Sequence, residues 1–272
     1  MLRVAEHSEL THTGRARRAN EDSMFARSPL FVVADGMGGA QAGEVASQTA
    51  VEVFSHGLTE GGTAEARLQA RVLEANERIH DLSRQNAQLA GMGTTLTAAY
   101  VGDDAVAIAH VGDSRAYRWR DGELERLTDD HSLVEELKRQ GKLTDEEADE
   151  HPQRSIITRA LGPEPAVTVD TRTAPTRDGD VFLLCSDGLT SMIGERAIAD
   201  VLARAGSLDR AARALVDAAN EAGGRDNITV VLFRVEDVGG PGAPDGTAVH
   251  ETAEQSTGAG TAGAGAVTAE QV

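Results

Sequence analysis

One cysteine, Cys185, is all the thiol chemistry that the 272-residue chain carries. It excludes an internal disulfide and any zinc site built on several cysteines. Nothing basic lies near it in sequence, so the run VFLLCSDG is read with Cys185 as a small core residue. Long apolar runs are also missing: none approaches the roughly 20 residues that a membrane span needs. The opening residues MLRVAEHSELTHTG hold no apolar signal region, so a cytoplasmic protein is expected. A basic surplus is absent too. The net charge of −18 argues against nucleic acid or an anionic membrane as the main partner and suits a protein that holds cations.

Six of those charges (Glu236, Asp237, Asp245, Glu251, Glu254, Glu270) fall in the last residues, which contain no lysine or arginine. That segment is Gly, Ala and Thr with almost no large apolar residue. It cannot bury enough surface to offset its ordering entropy, so 237–272 is expected to be a disordered acidic tail behind one domain over 1–236. No Pro/Gly linker divides that domain and no internal repeat is visible.

What is present is a mixed pattern. Strand-like runs are Ser23–Arg27, Leu30–Ala34, Thr94–Val101, Ala105–Val111, Arg115–Arg120, Glu123–Leu127, Val167–Ala174, Asp180–Ser186 and Ile228–Val235. Hairpin signals join several of them: Ser28-Pro29, Gly102-Asp103-Asp104 and Asp121-Gly122. Helical periodicity marks Ala42–Leu58, with Val45, Thr49, Val53 and Phe54 on one face. It also marks Ala64–Leu89, with Leu68, Val72, Ala75, Ile79 and Leu82, and a late pair, Glu195–Ala205 and Leu208–Ala222. Strands and helices do not alternate regularly. The order predicts an α+β fold of antiparallel sheets packed face to face, with helices outside.

Four acids stand at the ends of apolar strands: Asp35 in LFVVADG, Asp113 in AIAHVGD, Asp187 in VFLLCSDG, and Asp226 in GGRDN before ITVVLF. A single Asp-Gly after a strand is usually only a turn, and Asp121-Gly122 is such a case. Four of them could converge at one end of a sandwich. There they would repel, and each pKa would rise unless a cation neutralised them. Hard oxygen donors without His or Cys favour Mg²⁺ or Mn²⁺ over zinc. The run GRARRANEDS adds Arg17, Glu21 and Asp22. An arginine fork suits phosphate and the acids could orient waters, while a solvated charged loop is the plainer reading.

Taken in order, the segments Gly14-x-x-Arg17-x-x-Asn20-Glu21-Asp22, Asp35-Gly36-Met37-Gly38-Gly39, Gly93-Thr94-Thr95 and Val111-Gly112-Asp113-Ser114-Arg115 form a recognisable series. It continues with Leu127-Thr128-Asp129-Asp130-His131-Ser132, Cys185-Ser186-Asp187-Gly188-Leu189 and Gly224-Arg225-Asp226-Asn227-Ile228-Thr229. The series resembles the metal-dependent protein serine/threonine phosphatases of the type 2C (PPM) family in their bacterial form. The resemblance implies a four-layer α-β-β-α sandwich with two Mn²⁺ or Mg²⁺ ions and room for a third. It implies that Asp35 bridges the two metals, that Asp187 and Asp226 complete the first, and that the Gly36 carbonyl binds the second. Asp113 would share a third metal with Asp187. Glu21 and Asp22 would hold metal-bound waters, and Arg17 would clamp the substrate phosphate. The stretch 132–155 would be a flap gating protein substrates.

The implied reaction is in-line attack by a metal-activated water on phosphoserine or phosphothreonine, without a phosphoenzyme. Phosphoproteins and the Ser/Thr kinases that make them would be the partners of a monomer. Three departures stand out. Met37 sits where eukaryotic relatives often have a histidine, Ala40 where many bacterial members have one, and His12 where an aspartate commonly precedes the Gly14 turn. The first two leave the leaving-group acid open, with His110 and His131 as candidates. Two readings compete: a phosphatase dedicated to one regulatory phosphoprotein, of the anti-sigma-antagonist type, and a non-catalytic pseudophosphatase acting as a binding module. Retention of every expected acid argues against the second.

Overall fold

Apolar runs that alternate between two buried faces build this fold. The computed structural model describes residues 1–38, 42–144, 147–148 and 151–239. Gly39 and Ala40, the flap acids Asp145, Glu146, Asp149 and Glu150, and residues 240–272 of the expected 237–272 tail lie outside the described residues, while Asp237, expected in that tail, is instead strand, paired with Leu2. The strands are β1 (Leu2–His12), β2 (Asp22–Arg27), β3 (Leu30–Met37), β4 (Gly93–Thr94), β5 (Leu96–Val101) and β6 (Ala105–Val111). They continue with β7 (Arg115–Arg120), β8 (Glu123–Arg126), β9 (Asp170–Pro175), β10 (Val181–Cys185) and β11 (Ile228–Asp237). One antiparallel sheet runs β1-β11-β10-β7-β8; the other runs β2-β3-β5-β6-β9, with β4 paired to β3.

Helices α1 (Ala42–Ser55) and α2 (Ala64–Gln85) cover the second sheet, and α4 (Glu195–Arg204) and α5 (Leu208–Glu221) cover the first. A short α3 (Leu133–Arg139) follows β8. Three cores separate these four layers. In β3, Leu30, Val32 and Ala34 face the helices while Phe31 and Val33 face the other sheet. In β10, Val181, Leu183 and Cys185 face α4 and α5, while Phe182 and Leu184 point between the sheets. The inter-sheet core centres on Phe233, whose ring stacks on Phe31 at 4.2 Å and on Phe182 at 5.1 Å. Strands buried on both faces read as continuous apolar runs, which is why β3, β10 and β11 stand out in the sequence. No helix among the described residues is long and apolar enough to cross a membrane.

Four departures from the sequence reading stand out. The structure adds β1, an edge strand pairing with β11 from Leu2↔Asp237 to His12↔Ile228. Alternate positions of β1 read Leu2, Val4, Glu6, Ser8 and Leu10, too polar for a buried face. A bulge between Val4 and Glu6 then turns Val4 toward the inter-sheet core and Leu10 toward the helices. It adds α3 inside the expected irregular flap, capped by Ser132, whose Oγ accepts from Glu135 N at 3.4 Å. It rotates α1: Ala42, Ala46 and Ala50 are buried beside Val53 and Phe54, whereas Val45 and Thr49 are only half-buried. The small residues let α1 sit close on the β3 backbone. Finally, α2 stops at Gln85 with Leu82 exposed, and a single 3-10 turn, Ala87–Leu89, follows.

Candidate active site

Register alone gathers the acids. Asp22 opens β2 and lies directly opposite Asp35 on β3. Leu96↔Val111 places the end of β6, and so Asp113, at the same edge of that sheet. In the other sheet, Cys185↔Val230 brings the end of β10, with Asp187, beside the start of β11, with Asp226. His12↔Ile228 ends β1 at that edge too. The 13–21 loop therefore crosses from one sheet to the other over the acids, carrying Arg17 and Glu21. The strand missing from the sequence reading is the one that anchors this loop.

Close backbone approach locks the loops together. A Cβ on Gly188 would lie 1.9 Å from the Asn227 carbonyl oxygen, so only glycine lets the helical turn Asp187–Thr190 rest on the Asp226–Asn227 backbone. A Cβ on Gly36 would meet the Gly43 carbonyl oxygen at 2.1 Å, which joins β3 to the first turn of α1. The Glu21 carbonyl accepts from Gly36 N at 3.2 Å and from Ser47 Oγ at 2.6 Å.

Hydrogen bonds then fix Asp22, Asp35 and Asp226. Asp22 Oδ2 accepts from Thr229 Oγ1 at 2.6 Å and Ser186 Oγ at 2.8 Å, while its Oδ1 is buried without a partner. Asp113 Oδ1 is likewise buried and unpartnered. Asp35 is held by its backbone: its N–H donates to Thr95 Oγ1 at 3.0 Å and its carbonyl accepts from Thr94 Oγ1 at 2.9 Å. Asp226 Oδ2 accepts from Arg17 Nη2 at 2.7 Å. Asn227, one residue of the 224–229 motif, ties the loop down. Its Oδ1 accepts from Glu21 N at 2.7 Å, and its Nδ2 donates to the Thr13 and Ala19 carbonyls, each at 2.9 Å. A buried amide with acceptor and donors all used is a sign that only the folded arrangement reveals.

The electrostatics follow from burial and like charge. Burial, then the charges of Asp22, Asp187, Asp113 and Asp226, hold the Asp35 carboxyl well above its usual range. Burial, then Asp187 and Asp130, do the same to Asp113. Burial pushes Asp22 up to about 6 even against its two hydroxyl donors. Burial and Asp226 push Asp187 up to about 6, against a hydrogen bond with Asp35 and the charges of Arg115 and Arg17. Burial also raises Glu21, with Arg17 opposing. The acids also have basic neighbours. Arg17 pairs with Asp226, and Arg115, bound to Asp130 at 2.7 Å, tempers Asp113 and Asp187.

The set is short of positive charge, and two of its buried carboxylate oxygens lack any donor. That is the chemistry of a hard divalent cation. Among the described residues, no three His, Cys, Asp or Glu side chains are drawn tightly enough to enclose an ion.

The histidine candidates are spent elsewhere. His110 is buried, bonded through Nδ1 to Thr97 Oγ1 at 2.9 Å and through Nε2 to the Asp129 carbonyl at 3.1 Å; burial lowers its pKa to about 3. His131 Nδ1 accepts from Gly112 N at 2.9 Å, and its Nε2 lies 3.1 Å from Asp170 Oδ2. His12 Nδ1 accepts from Gly14 N at 2.9 Å, closing the turn after β1. Burial pushes the Cys185 thiol up to about 12, so it supplies no thiolate near neutral pH.

Comparisons with known proteins match this chain in sequence and in fold. A family described as "Protein phosphatase 2C" matches residues 15–228. The chain is 43% identical over 238 residues to the serine/threonine phosphatase stp of Listeria welshimeri, covering 83% of this chain and 94% of that protein. The crystal structure of the Mycobacterium tuberculosis serine/threonine phosphatase PstP/Ppp superposes with a TM-score of 0.81 at 39% identity, over 86% of this chain and 99% of that one. The catalytic domain of PstP in complex with two manganese ions superposes with a TM-score of 0.78 at 38% identity, over 87% of this chain and 100% of that one.

Proposed function

The chain belongs to the protein phosphatase 2C family, and from that premise we propose that it hydrolyses phosphoserine and phosphothreonine in proteins with the aid of Mn²⁺ or Mg²⁺, opposing bacterial Ser/Thr kinases. The observation that carries the metal dependence is the pair of buried, donorless oxygens, Asp22 Oδ1 and Asp113 Oδ1, within a set of acids that raise one another's pKa. Asp35, Asp187 and Asp226 with the Gly36 carbonyl would hold two cations, and Asp113 with Asp187 a third. Bound there, the cations supply a water acidic enough to act as nucleophile near neutral pH and offset charge on the phosphoryl oxygens.

The chain's own residues do the rest. Asp22, fixed through Oδ2 by Thr229 and Ser186, keeps Oδ1 free to orient a water. Glu21, held at its amide by Asn227, supports the same role. Arg17 lies on an exposed loop with its fork already beside Asp226. Its permanent charge can pass from that carboxylate to a phosphate oxygen by rotation of the side chain alone. His110 and His131 have no ring nitrogen to spare for the leaving oxygen, so solvent is the proton source. Hydrolysis of p-nitrophenyl phosphate and a phosphothreonine peptide, with Mn²⁺ and with chelator, tests this reading. Mn²⁺-dependent turnover that Asp187→Asn abolishes is expected. Full activity in Asp187→Asn would sink it.

A further inference from the structure

The rim of the acid cluster is basic. Arg15 and Arg18 flank Arg17 on the 13–21 loop, Arg225 precedes Asp226, and all four are exposed. The two loops are bonded: the amides of Arg15 and Ala16 donate to the Gly224 carbonyl at 2.7 and 3.1 Å. A Cβ on Gly224 would stand 3.1 Å from Arg15 Cγ, so the 15 and 225 side chains leave adjoining backbone. Elsewhere Arg115, Arg118, Arg120 and Arg126 are each engaged by a carboxylate. Arg15, Arg18 and Arg225 are not: among the described residues, none of their guanidinium groups makes a hydrogen bond or ion pair. Other arginines among the described residues, Arg196 and Arg213 included, are unpaired too, but Arg15, Arg18 and Arg225 stand together on two bonded loops beside the acid cluster.

We infer that Arg15, Arg18 and Arg225 form a docking rim that binds acidic side chains flanking the phosphorylated residue of a protein substrate. The inference rests on the phosphatase reading above. With the phosphate beside Arg17, an extended substrate advances about 3.3–3.6 Å per residue, so side chains within a few positions pass the rim. A guanidinium fork suits carboxylates, and each exposed pair is worth a few-fold in affinity. Away from the rim, the acidic surface repels such a segment; at the rim it is attracted. The result is selection among phosphoproteins by local charge.

The test compares kcat/KM on two phosphothreonine peptides, one with glutamates on both flanks and one with glutamines, using the full chain with Mn²⁺. The acidic peptide is expected to be preferred by at least about fivefold. The preference should collapse in the triple variant Arg15→Gln, Arg18→Gln, Arg225→Gln. It should also collapse in the unaltered protein at about 1 M salt, where the screening length is about 3 Å. Equal turnover of the two peptides, or a preference that survives the triple variant, would overturn the docking rim and leave the phosphatase reading intact. Failure to hydrolyse p-nitrophenyl phosphate or either peptide with Mn²⁺ would remove the phosphatase reading and the rim with it.

Discussion

Thr229 shows how much of the site lies one bond behind the acids. Its Oγ1 donates to Asp22 Oδ2 at 2.6 Å and contacts Thr11 Oγ1 at 2.7 Å, and its amide donates to Ser186 Oγ at 3.0 Å. One residue of β11 thereby couples β1 and the turn after β10 to the carboxylate that opens β2. Thr229→Val keeps the shape and removes the donor. Mn²⁺ affinity is expected to fall about 10- to 100-fold, as for other residues that orient ligands from behind. Calorimetric titration checks this, and unchanged affinity would show that Asp22 needs no such support. At this scale the sequence was legible where an acid ended an apolar run, as at Asp35 and Asp187. It was silent on Asn227 and Thr229, because a polar residue next to a strand looks the same whether it braces a loop or faces water.

At the scale of elements, three stacked rings join the two sheets. Phe31 comes from β3, Phe182 from β10 and Phe233 from β11, all fully buried. Phe233→Ala is expected to cost about 3–5 kcal/mol in denaturant unfolding, because the cavity sits where two sheets meet and neither can collapse alone. A loss under about 1 kcal/mol would mean that the sheets are held chiefly from their helix-covered sides. Elements buried on both faces were readable from their apolar runs, and Ala105–Val111 and Arg115–Arg120 match their strands end to end. β1 was hidden by its bulge and its mixed Leu, Glu and Ser face. The face of α1 was misread because size was weighed above closeness: Ala46 and Ala50 allow the approach that Val45 would block.

Across the whole molecule, the acids set a pH dependence that the metal should remove. Asp187 titrates near 3.8 in the unfolded chain and at about 6 in the fold. A raised acid favours the fold only while protonated. Its contribution is full below 3.8 and is lost as pH rises through about 6, and Asp22 behaves alike. His110 acts in the opposite sense. Lowered from 6.5 to about 3, it contributes above 6.5 and loses that contribution as pH falls through about 3. The histidine term is common to loaded and metal-free protein, so the difference between them isolates the carboxylates. Mn²⁺ is expected to raise the thermal midpoint more at about pH 8 than at about pH 5, since protons compete for the same oxygens. An equal shift at both values would place the cation elsewhere.

The claim that most depends on this arrangement is that the acids at the strand ends form a divalent-cation site able to cleave phosphoesters. Calorimetric titration of the full chain with Mn²⁺ near pH 6, in buffers of different ionisation enthalpy, counts ions bound and protons released together. Uptake of two ions with net proton release is expected, with uptake lost in Asp35→Asn and phosphothreonine hydrolysis appearing only in the loaded protein. No uptake, uptake without proton release, or undiminished hydrolysis in chelator would contradict it.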